Sequence, residues 1–319
     1  MCPIKREPVH PIKRERVQLR RVDRRVRALR HVVTPTIAVV PPVSLPPPVV
    51  VKAPPASRPQ LVSQINPDID KFTFTKPRDV ASLSIVVPIR YTPDRLYAIP
   101  ICANYLKLQN PAQIVIVEEG LSPKFREMAI DAGATYMFLK SVRPFNKSRC
   151  INCGVALSNN ECVMMHDADM ILQNGFVPAA MDVLGQYDAG HLVRDIIFLD
   201  HLPTLTRINF SHTKRWASST SWGCFGGNIL FRRQIFIDIG GMDEEFEGSG
   251  SEDAEFYHRV KLATRFSDNR NMIMLHMPHS RNSETHDRNW DLWQKAKSAS
   301  PIVRIKHLKD RLNNNWGLR

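Results

Sequence analysis

A chain of 319 residues that is 43% hydrophobic and 24% charged can bury one large core or two ordinary ones, which excludes a wholly disordered or fibrous protein. No apolar run approaches the roughly 20 residues needed to cross a bilayer. The net charge of +13 points at first to a polyanion partner, but residues 1–80 hold 16 Lys and Arg against 6 Asp and Glu, so +10 of that charge lies in the first quarter of the chain.

The same quarter holds 14 of the 24 prolines, including Pro41-Pro42, Pro46-Pro47-Pro48 and Pro54-Pro55. Proline at this density removes backbone donors and favours extended polyproline conformation, so residues 1–80 are expected to be a disordered basic arm. Between Val17 and Val32 arginines alternate with Val17, Leu19, Val22, Val26, Leu29 and Val32. Two readings stand: a short basic amphipathic helix on an anionic surface, membrane or nucleic acid, reached through residues 1–60, or a solvated tail. The arginine-rich start lacks the continuous apolar core of a secretory signal, so a cytoplasmic location is expected, with peripheral attachment to a membrane as its variant. Six cysteines without a dense framework read as reduced thiols. Cys150-x-x-Cys153 with Cys162 and His166 has some look of a zinc site, but the first two fall on a predicted helix and Cys162 on a strand.

From Leu83 the pattern changes. Residues 83–88 form a continuous apolar run predicting a buried strand, and 94–108 a helix. Residues 113–117 repeat the strand signal and end in Glu118-Glu119-Gly120. A helix over 123–132, a strand over 135–139 and a helix over 147–158 follow. The apolar run Cys162 to His166 then ends in Asp167-Ala168-Asp169. Strands alternating with helices predict a mostly parallel sheet covered on both faces, with ligands beyond the carboxyl ends of its strands. Pro88-Ile89-Arg90, Glu118-Glu119-Gly120 and Asp167-Ala168-Asp169 therefore converge on one crevice. Paired carboxylates at such an edge suit Mn²⁺ or Mg²⁺, ions that neutralise phosphate oxygens. There is no Gly-x-Gly-x-x-Gly and no Gly-Lys-Ser/Thr loop, so neither a dinucleotide site nor a P-loop is supported.

These blocks, with Phe145-Asn146-Lys147-Ser148-Arg149-Cys150-Ile151-Asn152-Cys153-Gly154, Phe225-Gly226-Gly227-Asn228 and Gly240-Gly241-Met242-Asp243 through Gly248-Ser249-Gly250-Ser251-Glu252-Asp253, occur in the order seen in GT-A glycosyltransferases. Over residues 83–289 the chain resembles their beta-1,4-galactosyltransferase and chondroitin-polymerase branch. The resemblance implies a GT-A domain over 81–290, with a nucleotide-binding half to 175 and an acceptor half beyond it. Residues 291–319 read as a helical tail that either packs back on the domain or touches a membrane surface.

The resemblance also implies roles. Asp169 would bind Mn²⁺ or Mg²⁺, Asp167 would reach the ribose or the ion, and His276 or His279 would complete the metal shell, His276 being preferred because it follows an apolar strand. Asp253 would be the general base and Glu252 its acceptor-holding neighbour, unless Ser251-Glu252-Asp253 serves only as a helix cap. Pro88 and Arg90 would border the nucleotide, Glu118 would touch base or ribose, and Lys147 would face the diphosphate. Asn146 and Asn152 stand either as donor contacts or as cap and packing residues. Gly226-Gly227 would let backbone approach the sugar. One position departs from the family: Ser249 stands between glycines where relatives commonly carry a tryptophan, leaving Trp216, Trp222 or Trp290 as substitute platforms.

The expected function is therefore metal-dependent, inverting transfer of a sugar from a nucleotide-diphospho-sugar, a UDP-sugar by family precedent, to an acceptor hydroxyl of a glycan. The alternatives are a transferase acting on a modified nucleic-acid base, and a non-catalytic nucleotide-sugar or glycan-binding module. Oligomeric state is not legible.

Overall fold

The computed structural model describes residues 83–201, 210, 217–222, 226–280 and 284–312, with side chains left aside over 217–222 and at 312. The basic arm, Cys2 and Cys224 lie outside the described residues. In chain order the elements are β1 (Leu83–Ile89), α1 (Ala98–Leu108), β2 (Gln113–Gly120), α2 (Arg126–Asp131), β3 (Thr135–Lys140), α3 (Lys147–Leu157), β4 (Cys162–His166), β5 (Met170–Leu172) and α4 (Phe176–Gln186). There follow β6 (Ala189–Gly190), β7 (Val193–Leu199), β8 (Ala217–Trp222), β9 (Asn228–Arg232), α5 (Arg233–Asp238), α6 (Glu252–Ala263), β10 (Phe266–Ser267), β11 (Met272–His276), α7 (His286–Ser298) and α8 (Pro301–Leu312).

Seven strands form the main sheet in the order β10-β6-β9-β4-β1-β2-β3. β3, β2, β1 and β4 run parallel, and β9 lies antiparallel between β4 and β6. Alternation within each strand sends side chains to opposite faces. Ile85, Ile116 and Met164 join one apolar cluster with Ile99 of α1 and Phe176 of α4, while Val86, Val117 and Met165 join another with Ile151 of α3 and Phe256 of α6. Both faces are covered, as the continuous apolar runs require. A smaller sheet, β5-β11-β7-β8, stands beside it.

Two predicted helices are shorter than the periodicity suggests. Residues 93–95 form a separate 3-10 turn, pinned by Asp94, whose carboxylate accepts from the Ser280 amide at 2.8 Å. α2 starts only at Arg126, after a turn in which the amides of Lys124 and Phe125 donate to the Glu118 carboxylate at 2.8 and 3.0 Å. The tail packs back: Ile305 and Leu308 of α8 are buried, Arg304 pairs with Asp243 and Glu255, and Arg311 with Asp243 and Glu245. No helix among the described residues is long and apolar enough to cross a membrane.

α3, which carries the Lys147 side chain, lies close on the sheet at Gly154, where an added Cβ would stand 2.2 Å from Val86 Cγ1. Alanine there gains helix propensity of up to about 1 kcal/mol, but overpacking against a stiff β-branched neighbour costs about 1–3 kcal/mol. Gly154→Ala is expected to destabilise the domain, read as a lower thermal midpoint; an unchanged or higher midpoint would mean the helix can lift from β1 at no cost.

Candidate active site

The acid motif is turned into a cluster by strand pairing. β4 ends at His166, and the Met170 amide donates to the Asp167 carbonyl at 3.2 Å, closing a tight turn. The chain then enters β5, whose antiparallel pairing with β11 sets Met170 opposite His276, and the Met277 amide donates to the Asp169 carbonyl at 2.8 Å. Met277-Pro278 carries the backbone round so that His279 returns to the same carboxylate, with Nε2 3.1 Å from Asp169 Oδ2. Ligand atoms of Asp169, His276 and His279 lie within 4.8 Å of one another, and no other such trio occurs among the described residues. Both candidate histidines thus reach Asp169, whereas only one was expected to.

The acid of the cluster stays ionised, as a cation site needs, but it already faces positive groups of the chain. Burial alone would raise the Asp169 carboxyl, but the His279 contact, Arg95 and His276 hold it well below the usual range. Burial lowers His276, favouring the neutral ring that can ligate, and its ring packs 4.7 Å from Phe198 and 4.9 Å from His279. His279 is raised, burial being outweighed by its contact with Asp169. One carboxylate oxygen with two imidazole nitrogens fits a borderline divalent ion such as Mn²⁺ better than Mg²⁺, which prefers an all-oxygen shell.

Asp167 is not part of this trio. Its Oδ1 lies 2.7 Å from Lys147 Nζ, and the same ammonium stands 2.8 Å from Asp253 Oδ2 and 3.6 Å from Glu252 Oε1. Lys147 therefore ties the strand-end acids to the first turn of α6. Burial would lower its pKa, but Asp167, Asp253 and Glu252 together hold it well above the ordinary value. Asp253 is pushed up to about 7, chiefly by burial, with Lys147 opposing and Glu252 and Asp167 adding to the rise. Its Oδ1 is buried without a hydrogen-bond partner. Ser251 does not cap α6 through its side chain; it adopts a left-handed φ of 70°, which turns Glu252 and Asp253 toward Lys147.

Gly226 gives room to the acid of α6: a Cβ there would fall 2.3 Å from Asp253 Oδ2. Gly227 has φ +81, next to Asp167, whose amide donates to its carbonyl at 3.2 Å. Glu118 is buried and already engaged: its carboxylate accepts from the Lys124 and Phe125 amides and, at 2.6 Å, from the Tyr136 hydroxyl. Asn146 caps α3, accepting from the Arg149 amide at 2.8 Å and donating to the Glu244 carbonyl at 2.8 Å. Asn152 bonds to the backbone of Met242 and to Glu244. Cap and packing are thus what both asparagines do. Arg90 donates to the Arg143 carbonyl at 2.7 Å and borders a small side cleft with Pro88.

A cavity of about 640 Å³ joins these parts. Its wall includes Pro88, Arg95, Lys147, Asp167, Asp169 and both histidines, together with Gly248, Ser249, Gly250, Glu252 and His286. Asp253 stands just behind Lys147, its side chain 16% exposed. Trp290 is on the outer face of α7, half exposed and off the cavity wall, so it is no substitute platform; the side chains of Trp216 and Trp222 lie outside the described residues. The ring beside Gly250 is His286, whose Cδ2 would be 3.2 Å from a Cβ there. Sequence reasoning missed His286 and Arg95. Arg95 sits shortly after the carboxyl end of β1, where the crevice rule could have found it; His286 carried no signal. The four described cysteines, Cys102, Cys150, Cys153 and Cys162, are buried on helices and a strand.

The sheet order, the helices on both faces and the crevice at the carboxyl edge are the mostly parallel α/β arrangement expected of a GT-A domain. Residues 208–280, which run through Gly226-Gly227, Asp253 and both histidines, match a family model described as the N-terminal domain of galactosyltransferase. Over 178 residues the chain is 22% identical to beta-1,4-galactosyltransferase 4 of Mus musculus and to that of Rattus norvegicus, covering 54% of this chain and 46% of each relative. The chain thus spans about half the length of the curated relatives it matches. Among solved structures it is similar to S. aureus TarS, at 14% identity over 73% of this chain and 43% of that one with a TM-score of 0.45. It is also similar to the catalytic domain of Drosophila beta1,4galactosyltransferase 7 in complex with xylobiose, at 18% identity over 69% and 82% of the two chains with a TM-score of 0.40.

Proposed function

We propose that the protein is a metal-dependent, inverting glycosyltransferase that moves a sugar from a nucleotide-diphospho-sugar, a UDP-sugar first among them, to a glycan hydroxyl. The observation that carries this reading is one cavity whose wall holds both the Asp169-His276-His279 cluster and Glu252, with the Lys147 ammonium on the same wall paired to Asp167, Glu252 and Asp253. A cavity of about 640 Å³ is within the range of small-molecule sites.

Asp169, His276 and His279 would hold the ion, which when bound offsets negative charge on the diphosphate oxygens. Lys147 turns from Asp253 toward the same phosphates, exchanging a carboxylate partner for the leaving group and leaving Asp253 open to the acceptor. Asp253 takes the acceptor proton, the acceptor oxygen forms its bond to the anomeric carbon, and the bond from that carbon to the phosphate oxygen breaks with its electron pair going to the nucleoside diphosphate. Attack opposite the departing group inverts the anomeric centre. Glu252, on the cavity wall, holds the acceptor hydroxyl. An acid that burial raises to about 7, tied through Lys147 to the strand-end acid Asp167, favours a catalyst over a pure binding module.

The test is release of UDP from a panel of UDP-sugars, with and without candidate glycans, in Mn²⁺, in Mg²⁺ and in excess chelator. Turnover with one donor, highest in Mn²⁺ and lost on chelation, is expected. Chelator-insensitive turnover, or none with any donor, would remove the reading.

A further inference from the structure

One cation beside the metal cluster belongs to the chain itself. Arg95 Nη1 lies 3.3 Å from Asp169 Oδ2, the oxygen that His279 Nε2 also approaches, and Arg95 Nη2 straddles the His279 ring at 3.1 and 3.2 Å from its two nitrogens. The position is built: the 3-10 turn carrying Arg95 is fastened to the loop carrying His279 by Asp94, whose carboxylate accepts from both the amide and the hydroxyl of Ser280. A divalent ion bonds carboxylate oxygen and imidazole nitrogen at about 2.0–2.2 Å. An ion on Asp169 Oδ2 and His279 Nε2 would therefore lie against the guanidinium, where like charges in a partly buried site repel strongly.

We propose that Arg95 is a competing cation of this site: the guanidinium and a divalent ion claim the same carboxylate oxygen, the ion binds as Arg95 withdraws, and the released guanidinium, already on the cavity wall, meets the donor's diphosphate. The inference rests on the metal reading above. It makes metal and nucleotide binding mutually supportive: a diphosphate gives Arg95 a new anionic partner, so each ligand lowers the cost of the other, and the coupling is reciprocal. Arginine suits this exchange because its planar fork pairs equally with carboxylate and phosphate.

The experiment is titration with Mn²⁺, read by the paramagnetic resonance signal of the free ion, on full-length wild type, Arg95→Gln, Arg95→Lys and Asp169→Asn, each with and without UDP. Without UDP the glutamine variant should bind Mn²⁺ about two- to fivefold more tightly than wild type, the size of one partly exposed charge contact. The lysine variant should stay nearer wild type, and UDP should tighten Mn²⁺ binding less in the glutamine variant than in wild type. If Arg95→Gln binds Mn²⁺ no better than wild type while Asp169→Asn abolishes binding, the metal site stands and the role given to Arg95 is overturned. A lysine variant as tight as the glutamine one would also overturn it, since charge would then not be what competes. Binding indifferent to Asp169→Asn, or absent throughout, would instead remove the metal reading beneath it.

Discussion

Asp253→Asn should lower kcat for sugar transfer by about 10²- to 10⁴-fold, the usual worth of a positioned general base, with little change in the KM for donor. The amide keeps the size of the carboxylate beside Gly226 but cannot accept the hydroxyl proton. Burial pushes Asp253 up to about 7, so wild-type transfer should rise with pH through about 7 and level above it as the base ionises; the variant should lack that limb. Stability runs the other way. A carboxyl that titrates near 3.8 when unfolded and near 7 when folded favours the fold in its protonated form, so that its contribution is full below pH 3.8 and gone above about 7. The variant should therefore melt no lower than wild type at pH 8, which separates lost chemistry from lost structure. Glu252→Gln is the comparison that decides between neighbours, because Glu252 lines the cavity while Asp253 lies behind Lys147. It should raise acceptor KM more than it lowers kcat; the reverse pattern would move the base to Glu252.

Asp169→Asn should abolish Mn²⁺-dependent turnover. The carboxylate is the one anionic ligand of the trio, and two imidazoles alone hold a divalent ion weakly. Asparagine also leaves His279 and Arg95 without the charge they face, at 3.1 and 3.3 Å. Loss of at least about 10²-fold in turnover, with Mn²⁺ no longer raising the thermal midpoint, is the expected pair of results. Retained Mn²⁺-induced stabilisation would place the ion elsewhere. His276→Ala and His279→Ala should each weaken Mn²⁺ binding, since the two rings lie side by side at 4.9 Å around the same carboxylate.

Much of this site was legible in the chain. Continuous apolar runs marked β1, β2 and β4, because strands covered on both faces cannot afford polar alternation, and Asp167-Ala168-Asp169 stood where such a strand must end. The Asp253 and Lys147 assignments came from ordered blocks, and folding sets their side chains 2.8 Å apart although 106 residues separate them. The surroundings of Glu118 were not legible: a carboxylate at a strand's end looks available from sequence, and only folding shows two amides and a tyrosine hydroxyl already on it.

By itself the sequence determined the alternation of strand and helix, the acids at the carboxyl edge and the glycines beside them, because these depend on period and on local backbone freedom. The tertiary structure decided which acids share which cation. Pairing of β5 with β11 set both histidines on Asp169, the turn held by Asp94 brought Arg95 to the same oxygen, and α3 lying on the sheet gave Lys147 to Asp167, Glu252 and Asp253 together. Partnership among charges is a matter of a few ångströms between segments far apart in the chain, and no local pattern encodes it.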